Sequence, residues 1–214
     1  MKLDQYPGVF ITGTDTHIGK TYVSALILEE FRKNGMSVLG LKPVSSGDRS
    51  DAKRLWEAAG GVVDLDTVNP VYYRAPLAPY TAGQLEGSSL KLADMTEQIK
   101  TARSHQGGFD FTLVEGAGGW EVPLGHGFGI SDLAKELELP VVVIAANWLG
   151  AINHTLLTVK AVQAAGLKCA GIILNYPVAE RDVAAVTNRA VIEELSPVPV
   201  LGEVMTDATE VDWY

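Results

Sequence analysis

Lys20 and Thr21 close a glycine-bearing stretch, Gly13-Thr14-Asp15-Thr16-His17-Ile18-Gly19-Lys20-Thr21, which follows the apolar run Val9-Phe10-Ile11 and leads into a helical pattern. That context suits a phosphate-cradling loop. The glycines let backbone N–H groups turn toward phosphate oxygens, and the helix N-terminus behind them adds partial positive charge. Lys20 supplies a mobile point charge for the β- and γ-phosphates, and the Thr21 hydroxyl is a hard oxygen ligand for Mg²⁺. The spacing departs from the usual Gly-x₄-Gly-Lys-Ser/Thr, because Gly13 stands one residue early and Thr14 falls where the first glycine is expected. An ordinary glycine turn into a helix is the alternative, and the flanking strand and helix patterns favour the phosphate loop. Further on, Leu113-Val114-Glu115-Gly116-Ala117-Gly118-Gly119 is an apolar strand that ends in a carboxylate and glycines. That is poor material for a core and a natural place to hold Mg²⁺ beside the loop. The two stretches together point to a nucleoside triphosphate, and to a reaction rather than to binding alone.

Whole-chain properties narrow the class. The 214 residues, 47% hydrophobic and 20% charged, fit one α/β domain spanning 1–214 with a sizeable core. No basic leader or eighteen-residue apolar run appears, so a cytoplasmic protein without a membrane segment is expected. The formal charge of −9 and the lack of a Lys/Arg cluster disfavour a nucleic-acid partner. An acidic chain must bind an anion locally, through a few cations and oriented amides, and Lys20 and Lys42 are the cations expected there. Cys169, the only cysteine, lies in the apolar run Cys169-Ala170-Gly171-Ile172-Ile173-Leu174 and reads as a buried, inert thiol.

The elements that position these groups follow from periodicity. Val9–Thr12 reads as a first strand, and Lys20–Asn34 as a helix with Val23, Ile27 and Phe31 on one face, ended by Gly35. Val38–Leu41, Phe111–Val114, Val141–Ala145, Cys169–Leu174 and Val198–Val204 read as further strands. Between them Asp51–Ala59, Leu90–Ser104, Ala151–Ala165 and Arg181–Leu195 read as helices, while residues 60–88 form the longest irregular stretch and a possible functional surface. Continuous apolar strands alternating with helices predict an α/β fold, a mostly parallel sheet with helices on both faces, of the P-loop NTPase type. Ligands of such sheets gather at the carboxyl ends of the strands, which is where both motifs lie.

The chain resembles a known family through an ordered set of segments. These are the phosphate loop, Lys42-Pro43-Val44 with Ser46-Gly47, Ser50-Asp51-Ala52, Val114-Glu115-Gly116-Ala117-Gly118-Gly119-Trp120, Leu149-Gly150-Ala151-Ile152-Asn153-His154 and Asn175 at a strand end. In that order they are similar to dethiobiotin synthetases, and they run from residue 9 to about residue 204. The resemblance implies an ATP-dependent ring closure in biotin biosynthesis, from 7,8-diaminononanoate, CO₂ and MgATP to dethiobiotin, ADP and phosphate. It implies that Lys20 and Lys42 are catalytic and flank the γ-phosphate, and that Gly13, Thr14, Asp15, Thr16, His17, Ile18, Gly19, Lys20 and Thr21 hold the nucleotide. Asn175 becomes an adenine contact. Thr21, Asp51 and Glu115 become the Mg²⁺ ligands. Ser46, Gly118 and Gly119 become substrate contacts, and Leu149, Gly150 and Asn153 bind the substrate carboxylate across a two-fold interface, so a homodimer is implied.

Taken alone, several of these residues have plainer readings. A lysine after a strand, such as Lys42, is more often solvated. Asp51 fits a first-turn residue favoured by the helix dipole, with Ser50 as N-cap. Asn175 before Tyr176-Pro177 fits turn chemistry, Asn153 fits a cap, and His154 fits a structural role. Two positions depart from the family pattern: His17 stands where relatives often carry an acidic residue, and Val186-Thr187-Asn188-Arg189 lacks a tyrosine that some relatives use for the substrate carboxylate. Two other classes share the motifs. P-loop amidoligases usually extend into a glutamine-hydrolysing domain, for which 214 residues leave no room. ATP-switched partitioning or scaffold proteins tend to carry an early second lysine in the loop, and Gly13–Ile18 has none.

Overall fold

The computed structural model describes residues 3–179 and 183–214, with the main chain alone at residue 106. Side-chain alternation divides its core into two. Strand β1 (Gly8–Gly13) sends Val9 and Ile11 to one face and Phe10 to the other, and all three are fully buried. In chain order there follow α1 (Lys20–Lys33), β2 (Val38–Leu41), β3 (Val44–Ser46), α2 (Ser50–Ala58), α3 (Leu65–Val68), β4 (Val71–Tyr73) and α4 (Pro79–Leu85). Then come α5 (Leu92–Arg103), a 3₁₀ turn (His105–Gly107), β5 (Phe111–Gly119), β6 (Pro123–Gly125), β7 (Phe128–Gly129) and α6 (Ile130–Leu137). The chain closes with β8 (Val141–Ala146), α7 (Ala151–Ala164), β9 (Cys169–Asn175), α8 (Ala184–Leu195), β10 (Val200–Val204) and β11 (Asp212–Trp213).

The main sheet has seven strands in the order β11-β10-β9-β8-β1-β5-β2. All neighbours are parallel except β11, which runs antiparallel along β10 with Gly202 opposite Trp213 and Glu203 opposite Asp212. On one face α1 lays Val23, Ile27 and Phe31 against Val9, Ile11, Leu113 and Ile144. Each of these helical side chains is wholly buried and stabilises the fold by about 1.5–3 kcal/mol relative to exposure. On the other face Ile99 of α5, Leu133 of α6, Val162 of α7 and Ile192 of α8 pack with Phe10, Leu41, Val114 and Val143. Helix α1 ends as its sequence requires. Gly35 takes φ 85°, its N–H bonds the Arg32 carbonyl at 3.0 Å, and the Met36 N–H bonds the Phe31 carbonyl at 3.1 Å.

The predicted α/β architecture is therefore present, with differences in detail. Strand β5 runs on through Gly116–Gly119 instead of stopping at Val114, because it pairs with β1 as far as Gly13 opposite Gly119. The stretch 60–88 contains α3, β4 and α4, and β4 pairs with β3 in a small parallel sheet of its own. The expected start of the late helix at Arg181 lies outside the described residues, and the helix is described from Ala184. Strand β1 lies between β5 and β8, so the chain leaves it toward β2 on one side and later returns on the other. The phosphate-loop stretch follows β1 at this point of reversal, where ligands of open parallel sheets collect.

Candidate active site

The loop after β1 folds over its own lysine. The Thr14 N–H donates to the Ile144 carbonyl at 3.0 Å, fixing the loop entrance to β8. Thr14 has no positive φ, so the missing first glycine of the usual motif costs nothing at this position. Gly13 has a different reason to be glycine: a Cβ there would lie 2.8 Å from Ile18 Cδ1 and from Lys20 Cδ. The Lys20 stem therefore runs along bare backbone, and its ammonium donates to the Asp15 carbonyl at 2.7 Å. Asp15 in turn accepts the Thr16 N–H at 2.7 Å. His17, at the exposed tip, takes the left-handed conformation with φ 58°. Gly19, at φ 87°, is the N-cap of α1, and a Cβ there would strike Asn175 Nδ2 at 2.1 Å. Asn175 donates to the Ile18 carbonyl at 2.8 Å, and its Oδ1 is buried without a hydrogen-bond partner. Two strand ends and a helix start thus hold the loop in one shape.

Three sequence candidates converge on one atom. Glu115, wholly buried on β5, accepts the Thr21 hydroxyl at 2.7 Å and the Lys42 ammonium at 2.6 Å, both at Oε1. Lys42, one residue past β2, also donates to the Gly116 carbonyl at 3.2 Å and lies 3.3 Å from the Asp51 carboxylate. Asp51 belongs to the first turn of α2 with about half of its side chain exposed. Burial pulls the pKa of Lys42 down, but the Glu115 and Asp51 carboxylates outweigh it and hold the ammonium above its usual range. Lys20 goes the other way. Burial first, and the nearby Lys42 charge second, lower its pKa to about 8. Lys42 is therefore not the solvated lysine that its place after a strand suggests.

The donor set fits Mg²⁺. Glu115 Oε2 is buried without a hydrogen-bond partner, which for a desolvated carboxylate oxygen is costly unless a cation meets it. Among the described residues no group of three or more His, Cys, Asp or Glu side chains forms a metal cage. Two carboxylates and a hydroxyl suit an ion that takes the rest of its shell from phosphate and water.

The remaining candidates are distributed around this centre. Gly119 pairs with Gly13, and Gly118 takes the left-handed φ of 65°, where a Cβ would lie 2.7 Å from Val122 Cγ2 and in ordinary contact with Thr16 Oγ1 at 3.4 Å. The Ser46 hydroxyl, at the end of β3, is buried without a partner. Leu149 and Gly150 lie in the turn from β8 into α7, and Asn153 in the first turn of that helix. Leu149 is 81% exposed, and Gly150, at φ 97°, is the N-cap with no side-chain capping bond. Asn153 is an exposed first-turn residue and not the cap that its type suggests, because the left-handed turn at Gly150 starts the helix first. Ser50 likewise is not a cap. Arg49 holds that position, and Ser50 bonds Asp48 through its N–H at 2.8 Å and its hydroxyl at 2.5 Å. On α8, where the sequence lacks a tyrosine, the buried Asn188 donates to Asn147 Oδ1 at 2.8 Å and to the Trp148 carbonyl at 2.9 Å. It ties α8 to the α7 turn. Cys169 is buried with its thiol pKa pushed up by desolvation to about 11, which leaves it inert.

The sequence candidates omit Asn69, which is buried beneath Lys42 and bonds four neighbours. Its only local signal is the Asn-Pro dipeptide, which reads as a turn.

Known proteins resemble this chain in sequence and in fold. A family model described as an AAA domain matches residues 7–209. Structures with the same fold include FtsY from Mycoplasma mycoides, with a TM-score of 0.61 and 13% identity over 98% of this chain and 64% of that one. The MinC:MinD cell division complex of Aquifex aeolicus gives a TM-score of 0.58 and 15% identity, covering 94% of this chain and 81% of that one. At such identities these two show the fold alone. Sequence relatives are much nearer. The ATP-dependent dethiobiotin synthetase BioD of Akkermansia muciniphila is 45% identical over 91% of this chain and 90% of its own length. Its namesake in Bacillus subtilis is 38% identical over 91% of this chain and 85% of its own length. Identity at this level over about nine-tenths of the chain means that it belongs to the family of ATP-dependent dethiobiotin synthetases.

Proposed function

We propose that the chain is an ATP-dependent cyclo-ligase of biotin biosynthesis, closing the ureido ring of dethiobiotin from 7,8-diaminononanoate and CO₂ with release of ADP and phosphate. The observation that carries this reading is the meeting of Thr21, Lys42 and Glu115 at one carboxylate oxygen, with Thr21 at 2.7 Å and Lys42 at 2.6 Å. That meeting joins a phosphate loop to a second cation and to a metal-binding carboxylate, the parts that phosphoryl transfer needs. No side chain has to act as a nucleophile.

In this reading one substrate amine adds to CO₂ and loses a proton, giving a carbamate. A carbamate oxygen attacks the γ-phosphorus, the bond to the β–γ bridging oxygen breaks, and ADP leaves. The second amine attacks the carbonyl carbon of the resulting carbamic–phosphoric anhydride and gives up a proton to solvent, phosphate departs, and the ring closes. Lys20 and Lys42 are the catalytic cations, drawing two anions together and neutralising charge that develops between them. Residues Gly13 to Thr21 hold the triphosphate, and the unpaired Asn175 Oδ1 accepts from the adenine amino group. Thr21, Asp51 and Glu115 hold Mg²⁺, which when bound withdraws charge from the β- and γ-phosphate oxygens.

The substrate backbone lies against Ser46, Gly118 and Gly119. Its carboxylate is received by the amides that open α7, at Leu149, Gly150 and Asn153 of a second copy. Support for a homodimer comes from Leu149, Val183 and Val186, which are 81%, 88% and 78% exposed on adjoining turns of α7 and α8. The reading takes residues 1–214 as one catalytic unit working in the cytoplasm. Among the described residues no helix is long and apolar enough to cross a membrane.

The test is ADP release from MgATP with 7,8-diaminononanoate and bicarbonate, each omitted in turn, and the product weighed by mass spectrometry. Release that requires both, with a product at the dethiobiotin mass, is expected. Release that ignores the diamine would overturn the reading.

A further inference from the structure

We infer that Asn69 is a positioning residue for the site, setting both the Lys42 ammonium and the Asp51-bearing helix through one buried carboxamide. The inference rests on the reading of Lys42 and Asp51 as site residues. A carboxamide offers two N–H donors and two acceptor lone pairs. At Asn69, which is 2% exposed, all four are used. Nδ2 donates to the Lys42 carbonyl at 2.7 Å and to the Val71 carbonyl at 3.0 Å, and Oδ1 accepts the Ser45 hydroxyl at 2.9 Å and Arg49 Nε at 3.0 Å.

These four partners are not arbitrary. The Lys42 N–H donates to the Val68 carbonyl at 2.9 Å, so the two residues Val68 and Asn69 grip both main-chain polar groups of Lys42. Lys42 is followed by Pro43, which carries no N–H, so these bonds replace the ladder that β2 loses where it ends. The Lys42 side chain leaves this clamp and reaches Glu115 at 2.6 Å and Asp51 at 3.3 Å. Ser45 precedes Ser46. Arg49 is the N-cap of α2, and it also bonds Asp66 at 2.8 Å and the Leu65 and Asn69 carbonyls at 2.9 and 3.0 Å. The start of the Asp51 helix and the backbone of the lysine are therefore referred to one side chain, whose four hydrogen bonds all go to residues outside the phosphate loop. A fully satisfied buried network of this kind admits one arrangement.

The test compares the parent enzyme with Asn69→Ala and Asn69→Asp. Three readouts are used: kcat and KM for ADP release, the Mg²⁺ concentration for half-maximal rate, and the nucleotide Kd measured without diamine. Outer positioning partners of this type alter affinity or activity by about 10–100-fold. Asn69→Ala is expected to lower kcat by about that factor and to raise the Mg²⁺ midpoint, with the nucleotide Kd within about twofold of the parent. A kcat and Mg²⁺ midpoint close to the parent would overturn the assignment, as would a loss confined to nucleotide affinity.

If Asn69→Ala does not fold, Ser45→Ala removes one acceptor-side bond alone, and Arg49→Ala removes the other together with the bonds of Arg49 to Asp66 and to the Leu65 and Asn69 carbonyls. A lower kcat at unchanged nucleotide Kd is expected from both, and parent kinetics in both would overturn the proposal. A crystal structure of a folded Asn69 variant separates this inference from the assigned reaction. Displacement of Lys42 Nζ from Glu115 supports the positioning role whatever the substrate, and an unmoved Lys42 refutes it.

Discussion

Lys42 and Glu115 form an ion pair of 2.6 Å inside the sheet, with the carboxylate wholly buried and the lysine side chain 5% exposed. Their pairing resolves a double cost, since neither charge is tolerated there alone. It also leaves one carboxylate oxygen, Oε2, without a partner. The pair is thus complete as a structural element and incomplete as a set of ligands.

Glu115→Gln removes the buried negative charge, and with it the metal donor of the proposed reading, while keeping the shape. The Mg²⁺ midpoint for turnover is expected to rise by about tenfold or more. Breaking a buried pair costs on the order of 3 kcal/mol, so the thermal midpoint should fall as well. Mg²⁺ titration of activity and a thermal melt check the two effects. An unchanged Mg²⁺ titration would make Glu115 purely structural.

Lys42→Ala is expected to reduce kcat by at least about a hundredfold with nucleotide binding largely retained, because the proposed reaction sets Lys42 where charge develops during transfer. Lys20→Ala should remove turnover and weaken nucleotide binding together. Single-turnover ADP release and equilibrium binding distinguish the two outcomes. Parent-like turnover in either variant removes that lysine from the catalytic role.

Nucleotide affinity should depend on pH above about 8, the value to which burial and Lys42 bring Lys20. Below it the free protein already carries the charged lysine. Above it binding must first protonate the amine, so affinity falls by up to about tenfold per pH unit and proton uptake approaches one. Calorimetry in buffers of different ionisation heat measures both. Stability moves oppositely: between about 8 and the ordinary 10.5 the unfolded chain holds the proton that the folded chain has lost, so folding stability rises with pH.

Leu149→Glu places a charge on a side chain that is 81% exposed at the α7 turn. It should shift the sedimentation coefficient from dimer to monomer and depress turnover in proportion, with the fold unchanged by circular dichroism. A parent that sediments as a monomer would remove the two-fold interface from the substrate site.

Legibility in the sequence followed the range of the forces involved. Helix α1 was readable nearly to its last residue because Gly35 and the Val23, Ile27, Phe31 stripe are local signals. Glu115 stood out because a carboxylate after an apolar strand, followed by Gly-Ala-Gly-Gly, is poor material for a core. Strands β3 and β4 were not, since three-residue strands exist only through pairing with each other across a gap in sequence. The four bonds of Asn69 were invisible for the same reason, as they reach up to 27 residues back along the chain. Asn153 misled as a cap because residue type alone does not say where a left-handed glycine will start the turn.

The short antiparallel strand β11 has a consequence for life at high concentration. An open sheet offers unpaired main-chain groups at its flanks, and these can zip onto a neighbouring molecule without limit. Here Asp212–Trp213 shields one flank by covering Gly202 and Glu203, and the indole of Trp213 fastens the cover to Glu30 on α1 at 2.8 Å. The opposite flank, β2, is only four residues long. The sheet is thus shielded against endless growth at one border and short at the other.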